Sequence, residues 1–156
     1  MAGAAQHGEA SAVSLYTRVL SVREAAIVTA LADAVAAPSP PLPLVEETDA
    51  VRAFDRWLVH APRTNRTALR VALHALDLSP LATGRRRRLH SLPRGERIAL
   101  IEALERIPVV GGVAEALQAS ASVSYFGDAR VMRALGYDPD ERVTRGRELR
   151  RLELRP

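Results

Sequence analysis

Histidines and carboxylates are the side chains of this 156-residue sequence that could take part in acid–base or metal chemistry. The sequence contains four histidines: His7, His60, His74 and His90. They are far apart, and none belongs to an HExxH or HxxxH pair that would place two imidazoles beside one metal ion. Glu102 and Glu105 could form a carboxylate pair, but they lie beside Arg106 in a pattern typical of a solvated helix face. The sequence therefore predicts no metal site.

Motifs for nucleophilic or cofactor chemistry are not found either. The sequence has no cysteine, which excludes disulfides, zinc–thiolate and iron–sulfur sites and thiol catalysis. It has no GxSxG elbow, no P-loop and no GxGxxG motif after a strand. A self-contained hydrolase or isomerase could use, for instance, Asp128 with His74 or His90, but the spacing of these residues gives no support for that. We therefore expect no catalytic residue, cofactor or metal in this chain, and do not expect it to be an enzyme.

Charge is distributed unevenly along the sequence. Residues 1–62 contain seven acidic residues and four arginines, a net charge of −3, whereas residues 63–156 contain eleven and eighteen, a net charge of +7. All 22 basic residues are arginine, as GC-rich coding would favour, and arginine raises the pI to about 10.5 because it does not titrate in the accessible range. This polarity favours a charged partner surface.

Apolar residues recur at helical spacing and no segment alternates with a period of two, which predicts an all-α fold. We expect a compact bundle of five to six helices over residues 20–138. Residues 1–19 are predicted to be a disordered lead, because they are small, polar and aperiodic. Residues 139–156 form an arginine-rich basic tail, predicted to be disordered or a frayed helix.

The first helix has the clearest start signal. Ser21 is its expected N-cap and forms a capping box with Glu24, and Pro38 ends the helix. The segment 37–44 is half proline, so it is interpreted as a stiff connector, with a PxxP recognition motif as the alternative.

The middle helices carry the expected core and a cationic surface. Trp57 in the second helix is interpreted as a core anchor. A third helix over 64–78 has a cationic stripe on its outer side: Arg63, Arg66, Arg70 and His74. A fourth helix begins from Ser91, and its apolar face is expected to extend to Ile107 before Pro108 interrupts it.

The fifth helix, over about 112–126, consists largely of small residues and is expected to lie at the centre of the bundle, because small side chains let helices approach closely. The glycine pair 111–112 at its start is interpreted as a flexible hinge, with an anion site on the helix N-terminus as the alternative. Asp128 is expected to cap a sixth helix over 129–135, which Gly136 ends in the left-handed conformation.

Two groups of side chains are candidates for contact with another molecule. Three of the six aromatic residues fall close together, at Tyr125, Phe126 and Tyr137. Phe126 is expected in the core, whereas the hydroxyls of the two tyrosines need polar partners and suit an interface. The run Arg85–Arg88 is interpreted as a solvated loop or a generic docking patch.

Three segments occur in the order of one known family pattern. They are "LSVREAAIVTALADAVAAP" (20–38), "GRRRRLHSLPRGERIALIEALER" (84–106) and "YFGDARVMRALGYD" (125–138). Together they resemble the gluconate 2-dehydrogenase subunit 3 family over most of the folded chain. The third segment is the most specific, since it matches an aromatic pair followed by "DPRVWxALGY". It departs from that pattern at Ala129, which replaces proline, and at Met132, which replaces tryptophan.

The resemblance implies an accessory role. Such a subunit is similar to a helical clasp that packs against an FAD-bearing catalytic subunit of the glucose–methanol–choline (GMC) type and supports its folding, stability or export. It implies a heteromer with a flavoprotein alcohol or sugar dehydrogenase, with FAD in the partner only. The N-terminal sequence has no secretory or twin-arginine signal, so a cytoplasmic location is expected.

The expected partner interface combines the aromatic and cationic candidates. Its residues are Tyr125, Asp128, Arg130, Arg133, Tyr137, Arg85, Arg86, Arg87 and Arg88. An alternative is an arginine-rich helical protein that binds nucleic acid through the cationic stripe, the arginine run and the basic tail. No helix-turn-helix is evident, so nucleic acid is not the expected partner.

Overall fold

The computed structural model describes residues 17–153, except for the side chains of Val109, Pro139, Leu152 and Glu153. Residues 1–16 lie outside this range, and with them His7 and most of the expected lead. Within the described residues the chain forms seven α-helices, two short 3-10 turns and no strand. The prediction of an all-α fold is confirmed. The number of helices exceeds the expected five to six because the basic tail is itself helical.

The seven helices follow one another through short connections. They are α1 Val22–Ala36, α2 Ala50–His60, α3 Arg63–Ala82, α4 Arg94–Glu105, α5 Pro108–Phe126, α6 Ala129–Ala134 and α7 Pro139–Glu153. The 3-10 turns Val45–Glu47 and Leu89–Ser91 precede α2 and α4. Helix α5 packs against α1, α2, α3, α4 and α6, and α1 packs against α2, α3, α4 and α5. The central position predicted for α5 is confirmed, and α1 shares it.

The start and end of α1 follow from local chemistry. The backbone amide of Ser21 donates to Glu24 Oε2 at 2.8 Å, and the amide of Glu24 donates to Ser21 Oγ at 3.3 Å. This reciprocal pair is the predicted capping box. At the other end Ala37 adopts the left-handed conformation, with φ of 42°, directly before Pro38.

The prediction that Trp57 anchors the core is wrong. Phe54 and Leu58 occupy the core side of α2 and are 1% and 0% exposed, whereas 54% of Trp57 is exposed. The two aromatic rings meet edge to face with centroids 6.3 Å apart. Because Phe54 and Leu58 are four residues apart, they share the inward direction and leave the indole at the flank of the helix.

Helix α3 runs past its predicted end at residue 78 and includes Pro80 in its last turn. Proline has no amide proton, so the carbonyl of Leu76 loses its helical donor. The hydroxyl of Ser79 donates to that carbonyl at 2.8 Å. This side-chain bond satisfies the carbonyl and explains why the helix continues to Ala82.

Helix α4 begins at Arg94, after the 3-10 turn, rather than from Ser91. Ile107 does not belong to its apolar face: it is the residue before α5 and is 47% exposed. Pro108 occupies the first position of α5, where a missing amide proton does no harm.

The glycine pair is not a hinge, because both glycines lie inside α5. A Cβ on Gly111 would stand 2.5 Å from the carbonyl oxygen of Glu105, whereas a Cβ on Gly112 would meet nothing within 4 Å. Gly111 therefore permits the close approach of the end of α4 to the start of α5.

Residues at their termini determine where the C-terminal helices begin and end. Asp128 caps α6 by accepting a hydrogen bond from the amide of Arg130 at 2.8 Å, and Gly136 follows the helix with φ of 74°. Both predictions are confirmed. Asp138 then accepts from the amides of Asp140 and Glu141 at 2.9 and 3.2 Å, which starts α7. Of the two alternatives for the tail, the helix is the one adopted over residues 139–153.

Candidate functional site

One face of α5 is not covered by the other described residues. Five of its exposed residues recur every three or four positions, as on one side of a helix, with the exposed Glu115 beside them: Gly112, Ala116, Ala119, Val123 and Phe126. Val123 is 74% exposed and Phe126 is 41% exposed. None of the five is charged or polar. This row, named here the α5 stripe, is an apolar surface on the central helix of the bundle.

A cationic groove of about 280 Å³ opens where α2 meets the junction of α5 and α6. Its walls are formed by Asp49, Ala53, Arg56, Ser124, Gly127, Asp128, Ala129, Arg130 and Arg133. The guanidinium groups come from α2 and α6. Because the lining includes Ser124 and Gly127, the groove adjoins the C-terminal end of the α5 stripe. An apolar row therefore ends at a cluster of arginines.

Asp128 holds the wall of this groove in place. Besides capping α6, its carboxylate accepts a hydrogen bond from the backbone amide of Asp49 at 2.8 Å, 79 residues away in the sequence. Asp128 is 9% exposed. It therefore joins the start of α2 to the start of α6, and it positions Arg130 and Arg133 rather than presenting a carboxylate to a partner.

The roles expected for Tyr125 and Phe126 are reversed. Tyr125 is 0% exposed, and its hydroxyl donates to the carbonyl of Pro43 at 2.7 Å. Burial, with the nearby charges of Asp128 and Glu47, raises the pKa of the Tyr125 phenol. Phe126 lies exposed beside it, with the rings edge to face at 5.1 Å. Tyr125 thus fixes the proline-rich connector to the core, and Phe126 is the ring on the surface.

Tyr137 remains a surface residue, as an interface would require. It is 41% exposed, and the guanidinium carbon of Arg142 lies 4.8 Å from the centre of its ring. A cation over an aromatic face at this distance is attracted by the ring quadrupole. The contact joins the start of α7 to the segment after α6. Arg130 and Arg133 are also exposed.

The run Arg85–Arg88 lies between α3 and α4, and its contacts are with those helices. Arg85 pairs with Glu96 at 2.8 Å, and Arg88 lies 3.9 Å from the carboxylate of Asp77. Arg86 and Arg87 are exposed and make no ion pair within the described part of the chain. No hydrogen bond or ion pair among the described residues joins the run to α5, α6 or α7.

The side chains of the cationic stripe of α3 mainly contact other residues of this chain. Arg70 Nε lies 2.7 Å from Glu24 Oε1, and His74 Nε2 lies 3.2 Å from the same oxygen. Arg66 donates to backbone carbonyls at the end of α2. Burial favours a raised pKa for Glu24, but hydrogen bonds from Arg70 and Ser21 outweigh it and lower the pKa to about 2. The stripe therefore neutralises a buried carboxylate.

A second buried carboxylate, Asp77, holds the 3-10 turn before α4 against α3. Asp77 is 0% exposed; Arg23 lies 2.7 Å from one of its oxygens, and His90 Nδ1 lies 2.6 Å from the other. The hydroxyl of Ser91 donates to the carbonyl of Arg88 rather than to His90. Asp77 thus binds both an arginine and His90, and no nucleophilic side chain contacts this aspartate–histidine pair among the described residues.

Two further buried carboxylates were not identified from the sequence. Asp33 in α1 binds the guanidinium groups of Arg94 and Arg97 in α4. Asp55 in α2 accepts three backbone amides, from residues 18, 19 and 20, at 2.6 to 2.9 Å. Asp33 and Asp55 both lie beside core positions of their helices, and this is the one sign in the sequence that they are buried. Their partners are 35 or more residues away, so no local pattern identifies those partners.

Other kinds of site are not found among the described residues. No group of three or more histidine, aspartate or glutamate side chains in residues 17–153 could hold a metal ion. None of the helices in that range has the length and hydropathy needed to cross a bilayer. A scan against models of known protein families, a search of curated proteins and a search of solved structures each found no match for this chain.

Proposed function

We propose that this chain is a non-catalytic accessory subunit that binds and stabilises an FAD-dependent alcohol or sugar dehydrogenase of GMC type. The observation that carries the proposal is the α5 stripe ending at the arginine groove. An apolar row beside exposed arginines has the composition of a protein–protein interface, in which a desolvated centre is surrounded by a charged rim. The proposed partner surface is apolar with an acidic edge.

The terminal motif of the family resemblance supports the same surface. Tyr125, Asp128 and Val131 are buried and serve the fold. Other matched positions are exposed, namely Phe126, Arg130, Leu135, Gly136 and Tyr137. The fold does not require an aromatic or a long cationic side chain at an exposed position. A partner that contacts this end of the molecule gives those side chains a role.

The non-catalytic part of the proposal rests on how the titratable groups are used. The two described histidines that contact carboxylates, His74 and His90, bind Glu24 and Asp77, which are already paired with arginines. A general base needs an oxygen or nitrogen within reach of the substrate proton. Carboxylates held by arginine inside the bundle are poorly suited to that task. FAD is assigned to the partner, as the resemblance implies.

The test is co-expression with a GMC-type flavoprotein from the same genome, followed by size-exclusion chromatography. We expect the two chains to elute together, and expect the flavoprotein to retain more FAD and melt at a higher temperature in the complex. Val123→Glu places a charge in the α5 stripe and is expected to weaken the complex at least about tenfold. Arg130→Glu with Arg133→Glu is expected to do the same, increasingly so at low salt.

Two control variants distinguish an interface from a general loss of structure. Val71→Glu changes an exposed valine on α3 and is expected to leave the complex intact. Tyr125→Phe removes a buried hydroxyl and is expected to lower stability without changing affinity. If the wild-type chain elutes separately from every such flavoprotein of its genome, the proposed function is wrong. If Val123→Glu and Val71→Glu weaken the complex equally, the assignment to the α5 stripe is wrong.

A further inference from the structure

A second groove, of about 370 Å³, opens on the outer side of α2. Its walls include Arg18, Arg52, Asp55, Arg56, Val59 and His60, and it is named here the α2 groove. It shares Arg56 with the cationic groove of the proposed interface and no other residue. The proposed interface therefore leaves the α2 groove without a role.

The spacing of three side chains on α2 gives the groove a cationic wall. Arg52, Arg56 and His60 follow one another four residues apart, so they share one side of the helix. All three are exposed. Arg52 lies 3.3 Å from the carboxylate of Asp49, whereas the guanidinium of Arg56 makes no hydrogen bond or ion pair with the described residues.

A buried carboxylate positions a further arginine beside this wall. Asp55 is 2% exposed, and its two oxygens accept the backbone amides of residues 18, 19 and 20. The bond from the amide of Arg18 is 2.6 Å long and joins residues 37 positions apart, so it fixes the backbone that carries Arg18 against α2. The oxygens of Asp55 are thereby bound by amides, and the guanidinium of Arg18 makes no ion pair with the described part of the chain.

Charge in the α2 groove is unbalanced. Its lining contains three arginines and one aspartate, a net charge of +2 without His60, whereas the cationic groove of the interface has three arginines and two aspartates, a net charge of +1. The C-terminal end of α2 would oppose an anion, because the last carbonyls of a helix carry partial negative charge. Arg66 donates to two carbonyls at this end, those of Val59 and Ala61, at 3.4 and 3.3 Å. A further cation therefore offsets the end of the helix.

We propose that the α2 groove binds a phosphate group, either as the free ion or as a monoester of a small molecule. Arg18 and Arg56 hold its oxygens, and Arg52 and His60 border it. A guanidinium presents paired N–H donors that match phosphate oxygens. A phosphate carries up to about two negative charges and three acceptor oxygens at neutral pH, whereas a carboxylate has one charge and two oxygens. The net charge of the groove therefore favours phosphate.

The size of the groove limits the kind of ligand. A volume of about 370 Å³ is within the range of small-molecule pockets. Duplex DNA is held by phosphate contacts spread along its length, and one groove supplies a single such contact. The α2 groove is therefore assigned to a small ligand rather than to nucleic acid.

The test is isothermal titration calorimetry of the purified chain with inorganic phosphate, methyl phosphate and acetate at constant ionic strength. Trp57 is the only tryptophan and is 54% exposed directly after Arg56, so its fluorescence provides a second readout. We expect saturable binding of one phosphate group per chain, with acetate at least about tenfold weaker. Whichever of the two phosphates binds more tightly identifies the source of the group. No flavoprotein is present, so the result is independent of the proposed function.

Matched arginine variants locate the site. Arg18→Ala should raise the dissociation constant for phosphate about tenfold, because one charge-assisted contact is lost. Its circular dichroism spectrum should be unchanged, since the amide of residue 18 still binds Asp55. Arg87→Ala removes one positive charge at a distant exposed arginine, and Arg130→Ala removes one from the cationic groove of the interface; both should leave phosphate binding unchanged. A titration with phosphate that stays linear, equal binding of acetate, or equal weakening by Arg18→Ala and either control would overturn the proposed site.

Discussion

At the scale of single residues, arginine has two different roles in this protein. Some arginines neutralise buried carboxylates, as Arg70 does for Glu24 and Arg94 does for Asp33. Others, such as Arg130 and Arg133, lie on the surface beside an apolar row. The second kind can contact a partner without giving up an ion pair inside the bundle. The sequence alone does not separate them, because the difference is the presence of a carboxylate from a distant helix.

Glu24→Gln should show how much one buried carboxylate stabilises the fold. The substitution keeps the shape of the side chain but removes the charge that Arg70 and Ser21 bind. We expect the free energy of unfolding to fall by about 2 kcal/mol at neutral pH, because hydrogen bonds to a charged, buried group are lost. Urea unfolding followed by circular dichroism measures this change. Glu96→Gln, at an exposed pair with Arg85, should change stability by less than about 0.5 kcal/mol.

The pH dependence of stability provides a separate check on Glu24. The pKa of its carboxyl is lowered to about 2 in the folded protein, against 4.5 for an unperturbed glutamate. The carboxylate therefore stabilises the fold above pH 4.5, and this contribution is lost as the pH falls towards 2. The difference in unfolding free energy between wild type and Glu24→Gln should shrink over that range. A difference that stays constant down to pH 2 would contradict the assigned pKa.

At the scale of secondary-structure elements, the junction of α4 and α5 depends on the absence of one side chain. The methyl group of Gly111→Ala would stand 2.5 Å from the backbone oxygen of Glu105, and backbone cannot rotate away. We expect this variant to lower the free energy of unfolding by about 2 kcal/mol. Thermal and urea unfolding measure the effect.

The neighbouring glycine gives a matched control of opposite sign. A Cβ at Gly112 meets nothing within 4 Å, and the residue is helical. Gly112→Ala should therefore stabilise the protein by about 0.5 to 1 kcal/mol, because alanine loses less backbone entropy than glycine in a helix. If both variants had the same effect, close contact between α4 and α5 would not be the reason for Gly111.

At the scale of the whole molecule, the charge polarity of the sequence is partly neutralised by folding. The cationic stripe of α3 is held by Glu24 and by backbone carbonyls, and half of the run Arg85–Arg88 contacts carboxylates. Fewer arginines than the sequence suggests are therefore free to contact phosphates. This reduces the support for a nucleic-acid-binding protein; in the proposed interface the cationic part comes from the arginines of α6.

We expect no saturable binding of duplex DNA at physiological ionic strength, measured by fluorescence anisotropy with a labelled oligonucleotide. Proteins that bind through phosphate contacts lose affinity steeply as salt is raised. Saturable binding with that salt dependence, abolished by Arg86→Glu together with Arg87→Glu, would favour the nucleic-acid alternative instead.

The sequence by itself determined the helices before the tail, and the ends of α1 and α6. The capping box at Ser21, the cap at Asp128 and the left-handed Gly136 each depend on residues within about four positions, so local pattern was sufficient to predict them. The central place of α5 also followed from its small residues. The passage of α3 through Pro80 was missed because it depends on one hydroxyl, that of Ser79, replacing a lost donor.

Only the tertiary structure decided which side chains are buried and which arginines are free. Tyr125 and Phe126 are adjacent in sequence, yet Tyr125 lies in the core and Phe126 on the surface. Only Tyr125 faces the proline-rich connector that follows α1. Arg70 and Glu24 are 46 residues apart, and Arg94 and Asp33 are 61 apart. Such pairs form only when helices distant in sequence pack together, and the periodicity of one helix holds no information about its neighbour.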